Sequence, residues 1–87
     1  MTTINEFLVP LSVRARNVII RMVTEGYNYR LNKVYITVQP VNRDADIMDA
    51  FGNLTVKRLG YEEACGLKTV QEITKAFAKH GLILKYK

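Results

Sequence analysis

Ala64-Cys65-Gly66-Leu67-Lys68-Thr69-Val70-Gln71-Glu72-Ile73 is the stretch on which the reading of this chain turns. Thr69 and Glu72 have the spacing of a capping box. In that arrangement the threonine oxygen accepts from the backbone N–H of Glu72 while the glutamate reaches back to the N–H of Thr69. The spacing predicts a helix starting at Thr69, with Val70, Ile73 and Phe77 on its inner side and Lys75 and Lys79 toward solvent. His80 in the last turn reads as a capping cation, Gly81 as a left-handed stop, and Leu82 and Leu84 as a tail folding back. Upstream, Gly66 lets the backbone approach a ligand closely. Unpaired N–H groups at a helix start favour phosphate, and Lys68 adds a formal charge. Taken alone, these residues fit a plain tight turn with a solvated lysine equally well.

Working toward the N-terminus, Thr55 is placed to cap a short helix from Val56 to about Glu63, with Leu59 inward and Lys57 and Arg58 outward. Ile47, Met48 and Phe51 give a brief apolar face before Gly52-Asn53, and Asn42-Arg43-Asp44 reads as a turn. Asp44, Asp46 and Asp49 read as a solvated helix start, lacking the glycine and distal glutamate of a calcium loop. Tyr27-Asn28-Tyr29-Arg30-Leu31 alternates on a period of two, and Lys33-Val34-Tyr35-Ile36-Thr37-Val38 is β-branched and aromatic. Together they predict a β-hairpin turning near Asn32-Lys33 and closed by Pro40. Such a hairpin is marginal alone and must pack on helices or on a partner. Before it, Val13, Val18, Ile19, Met22 and Val23 approximate one buried stripe of a helix capped by Ser12 and stopped by Gly26. Arg14, Arg16, Asn17 and Arg21 fall largely elsewhere on that wheel. Leu8-Val9-Pro10-Leu11 reads as extended, because proline disfavours helix in the residue before it.

The expected fold is therefore mainly α: a compact bundle of four to five short helices with a helix-hairpin-helix, plus a β-hairpin insert at about residues 27–41, all in one domain spanning 1–87. Thirteen Lys and Arg against eight Asp and Glu give a net charge of +5, a pointer to a polyanionic partner. The single Cys65 allows neither an internal disulfide nor a cysteine metal cluster within the chain, which fits a reducing cytoplasm. No secretory leader and no membrane span is expected. One histidine, with no nucleophile in a recognisable setting around it, argues against an enzyme, and nothing calls for a metal or nucleotide cofactor.

Two blocks in order resemble the C-terminal domain of the bacterial RNA polymerase alpha subunit. Leu11-Ser12-Val13-Arg14-Ala15-Arg16-Asn17-Val18-Ile19 is similar to the motif of its first helix. Thr55-Val56-Lys57-Arg58-Leu59, then Ala64 to Ile73, then Gly81-Leu82-Ile83-Leu84 follow its second block without a gap. The resemblance spans residues 8–20 and 45–84. It implies a helix-hairpin-helix fold gripping A/T-rich DNA across the minor groove, with Arg14, Asn17, Gly66, Lys68 and Thr69 as the contact set, joined by Arg16 and Glu72. An arginine inserted into a narrow minor groove meets concentrated negative potential, while backbone N–H groups and a lysine hold phosphates. Leu67 stands where the family has a lysine, Val18 where it has a cysteine, and Leu8 and Pro10 where it has the acidic residues of its sigma contact. Residues 27–41 have no counterpart there.

The function expected on this reading is a cytoplasmic, nucleoid-associated bacterial DNA-binding module. It would bind A/T-rich duplex weakly and modulate transcription, with RNA polymerase, a transcription regulator or a second copy as protein partner. The alternative is a protein-interaction adaptor in which Tyr27, Tyr29, Tyr35 and Ile36 of the insert form the working surface and DNA binding is lost.

Overall fold

Helix starts organise this chain. Thr3, Ser12, Asp46 and Thr55 each stand in extended backbone and accept a hydrogen bond from a backbone N–H two or three residues ahead, so four helices begin at polar caps. The computed structural model describes residues 1–63 and 65–86. Its order is α1 (Ile4–Leu8), α2 (Val13–Glu25), β1 (Tyr27–Leu31), β2 (Val34–Val38), α3 (Ile47–Phe51), α4 (Val56–Leu59) and α5 (Leu67–Lys79). Ala64, part of the motif quoted above, lies outside the described residues.

Helix α1 corrects the extended reading of Leu8-Val9. Thr3 and Glu6 make a complete capping box, and those hydrogen bonds hold the Glu6 carboxyl below the usual carboxylate range. Ile4, Phe7 and Leu8 are buried, and Val9 continues in right-handed helical backbone despite Pro10. Burial of side chains of this size is worth about 1.5–3 kcal/mol each, more than the local bias imposed by a following proline.

In α2 the buried face is Ala15, Val18, Ile19, Met22 and Val23; Val13, expected on it, is exposed instead. Three fully buried phenylalanines form the centre of the core. The rings of Phe7 and Phe77 stack with centroids 4.4 Å apart, and Phe51 lies 5.2 Å from Phe77, so one α5 side chain ties α1 to α3.

The hairpin forms where the sequence places it. Asn32 and Lys33 both take positive φ, 50° and 69°, the requirement of the tight two-residue turn whose twist matches the flanking strands. The strands pair antiparallel from Tyr27↔Val38 to Leu31↔Val34. The pleat puts Tyr27 and Tyr29 with Ile36 and Val38 on the side facing the helices, and Asn28 and Arg30 with Tyr35 and Thr37 on the other. The fold is thus a small helical assembly with five helices among the described residues and one two-stranded antiparallel hairpin.

Helix α4 is shorter than expected, ending at Leu59 with Gly60 as its C-cap rather than near Glu63. Arg58, expected outward, packs inward. Its guanidinium sits 5.3 Å from the centre of the Tyr27 ring, donates to the carbonyl of Asn28 and pairs with Glu62 at 2.6 Å. The C-terminal segment docks on the start of the same helix, where the N–H groups of Val56 and Lys57 donate to the carbonyls of Lys85 and Tyr86.

Candidate nucleic-acid interface

Helix α5 begins at Leu67, earlier than the Thr69 start that its capping box predicts, and its N-cap is Gly66, which has no side chain to offer. Leu67 and Lys68 therefore lie in the first helical turn and not in a hairpin loop. Thr69 is buried. Glu72 does not return to Thr69. Its two carboxylate oxygens accept from the main-chain N–H and the hydroxyl of Ser12, each at 2.7 Å. The expected local box is replaced by a bridge between the starts of two helices.

That bridge positions α2 against α5. A second link, the 3.7 Å pair of Arg21 with Glu63, lies nine residues further along α2 and nine residues earlier than Glu72. The two segments consequently run in opposite directions, and besides Val13 and Gln71 each carries exposed residues between the links. On α2 these are Arg14 and Asn17, three positions apart and hence on one helical face with Arg21. On the α5 side they are Gly66, Leu67 and Lys68, all exposed.

The starts of α1 and α4 contrast with this one, whereas at α2 only Ala15 of the first three N–H groups has an acceptor among the described residues. In α1, the N–H groups of Ile4, Asn5 and Glu6 donate to Ala45, Arg43 and Thr3; in α4, those of Val56, Lys57 and Arg58 donate to Lys85, Tyr86 and Thr55. Among the described residues, none supplies an acceptor to the N–H groups of Leu67, Lys68 and Thr69. A Cβ added at Gly66 would meet nothing within 4 Å, so the approach to these donors is open. Free N–H groups at the positive end of a helix favour an anion, and Lys68 adds a formal charge at the start of α5.

Arg16 and Glu72 are committed elsewhere. The Arg16 guanidinium donates to the carbonyls of Leu8 and Leu11, holding the link from α1 into α2. Glu72 positions Ser12. Cys65 is buried, which pushes its thiol above the ordinary range. His80 is the C-cap residue of α5, its main-chain N–H donating to the carbonyls of Phe77 and Ala78, while its Nδ1 lies 3.2 Å from the Thr2 hydroxyl and its ring stands edge-on to Phe7.

The tyrosine set of the insert divides. Tyr27 is buried, stacks on Phe51 at 6.2 Å and donates its hydroxyl to the carbonyl of Ala50, which removes it from any interaction surface. Tyr29 is half-buried against the core and Ile36 is half-buried, while Tyr35 is 74 % exposed. Residues that the sequence reading did not single out sit near it. Tyr61, 70 % exposed, and Lys57 share with the hairpin a groove of about 580 Å³. Their only sequence signal was the positive charge of the Val56–Leu59 helix. Comparison with protein-family models, with curated proteins and with solved structures finds no match to this chain.

Proposed function

We propose that this chain is a non-enzymatic DNA-binding module that holds A/T-rich duplex along the face shared by α2 and the start of α5. The supporting observation is that α2, with Arg14 and Asn17 exposed, runs antiparallel to the segment carrying the exposed start of α5 at Gly66, Leu67 and Lys68. Arg14 reads the electrostatic depth of the minor groove, and Asn17 offers both a donor and an acceptor to base edges. The backbone N–H groups after Gly66, with Lys68, take a phosphate of the flanking strand. Leu67, exposed beside them, offers an apolar contact to deoxyribose. On this reading α4 and α5 act as the two helices of a helix-hairpin-helix, and the chain modulates transcription.

Two anchors of this kind and one helix terminus make a weak module. Useful affinity then comes from avidity, through a second copy or through a polymerase or regulator bound at the same promoter. The test is a fluorescence-anisotropy titration of an A/T-rich duplex at low and high salt. Binding that weakens steeply with salt, and drops by about tenfold or more in Arg14→Ala, supports the reading. Absence of binding at low salt, or equal binding by Arg14→Ala and Lys68→Ala, overturns it.

A further inference from the structure

The groove between the hairpin and α4 lies apart from the duplex face and has a chemistry of its own. Three tyrosines, Tyr29, Tyr35 and Tyr61, line it together with the cations Arg30, Lys33 and Lys57, and no carboxylate is among its lining residues. The three cations are exposed. Arg58, also at its wall, is already taken by Glu62, Asn28 and Tyr27 and serves as a floor. Tyr35 and Tyr61 stand 74 % and 70 % exposed with no other aromatic ring stacked on them among the described residues. Arg30 lies over the Tyr35 ring, 5.9 Å from its centre, which keeps that ring beside a positive charge.

The backbone adds to this. Lys33 occupies a left-handed position, φ 69°, where glycine is the relaxed choice, and a non-glycine residue there costs about 1 kcal/mol. The cation is thus held at the hairpin tip against local preference. Arg30 pairs with Tyr35 across the hairpin, so one strand's cation and the other's ring reach the same groove wall.

From this combination we infer that the groove binds single-stranded nucleic acid. Unstacked bases lie on the Tyr35 and Tyr61 rings, and the backbone phosphates lie along Arg30, Lys33 and Lys57. Duplex DNA fits this surface poorly, because its bases are already stacked on each other and present no faces to a ring. A flexible single strand supplies both a π-face and a charge at each nucleotide, and cation-lined grooves with aromatic platforms match that repeat. An acidic peptide would use the cations and leave the tyrosines idle.

The experiment uses the full chain and fluorescein-labelled oligo-dT and oligo-U, which lack self-structure, with a polyglutamate peptide as the charge control. The expected result is salt-sensitive binding of the oligonucleotides, weakened about tenfold by Tyr35→Ala and by Tyr61→Ala, with little binding of polyglutamate. Because the chain has no Trp, quenching of its tyrosine emission by the unlabelled strand gives an independent readout of stacking. Tighter binding of either oligonucleotide supports the inference, and oligo-dU, which differs from oligo-U only at the 2′-hydroxyl, identifies the sugar. Both rings are exposed, so these variants fold, as circular dichroism will check. Binding untouched by Tyr35→Ala and Tyr61→Ala overturns the inference, as does tyrosine-dependent binding of polyglutamate at matching affinity. Arg14→Ala separates the two sites: it weakens duplex binding while leaving the oligo-dT titration in place, so either proposal can fail alone.

Discussion

Glu72 holds Ser12 at two points across sixty positions of chain, through the main-chain N–H and the hydroxyl, both at 2.7 Å. The contact sets how the start of α2 meets the second turn of α5, and so fixes Arg14 relative to Gly66 and Lys68. Hydrogen bonds to a charged acceptor contribute about 1.5–3 kcal/mol when well sheltered and less when solvated. Glu72→Ala is therefore expected to lower stability by about 1–2 kcal/mol in urea unfolding. A double-mutant cycle with Ser12→Ala should return a coupling of about 1 kcal/mol; additive effects would show that the hydroxyl half of the bridge contributes nothing.

Gly66 has φ −76°, an ordinary value for any residue, and open space around its missing Cβ. Gly66→Ala should leave the thermal midpoint nearly unchanged. The new methyl stands in the approach to the N–H groups that follow, so duplex affinity should fall several-fold. Equal affinity in the variant would remove the helix start from the proposed contact.

Burial pushes the Tyr27 hydroxyl well above its ordinary range of about 10. With the folded value raised, stability from this group is complete below pH 10 and declines above it, as the unfolded chain loses a proton that the folded one keeps. Tyr27→Phe gives up the bond to Ala50 and should cost about 1 kcal/mol at neutral pH. Its stability should then fall less between pH 10 and 12 than that of the parent chain, as followed by denaturant midpoints.

Lys33→Gly relaxes the left-handed turn position and should raise stability by about 1 kcal/mol. If the groove binds a single strand, the same variant loses oligo-dT affinity while gaining stability. Opposite signs from one substitution are difficult to obtain by general unfolding, which makes this a sharp check.

Local chemistry was the legible part. Ser12, Thr55, Gly26, Gly81 and the Asn32-Lys33 turn act through neighbours a few residues away, and each does what its type and position imply. Helix α1 was also legible in principle, since Thr3 and Glu6 carry the capping-box spacing; a rule about Pro10 outweighed it. What stayed hidden depends on partners distant in sequence. Thr69 and Glu72 have the same spacing as Thr3 and Glu6, yet Ser12 captures the glutamate and burial claims the threonine. No local pattern separates those two cases. Arg16 and Arg58 look like surface cations for the same reason, because the carbonyls and the ring that hold them come from elsewhere in the chain.

The hairpin leaves and rejoins the helical body at one place. Val41 donates to the carbonyl of Val23, and any side chain at Gly26 would collide with the Val38 carbonyl. Only Tyr27, Tyr29 and their cross-strand partners are needed by the core, so the outer pairs from Arg30 to Tyr35 form a removable head on a fixed stalk. Divergence confined to those positions can retune or abolish what the head recognises while the helices keep their packing. Two descendants of this chain could thus share one interior and serve different ligands.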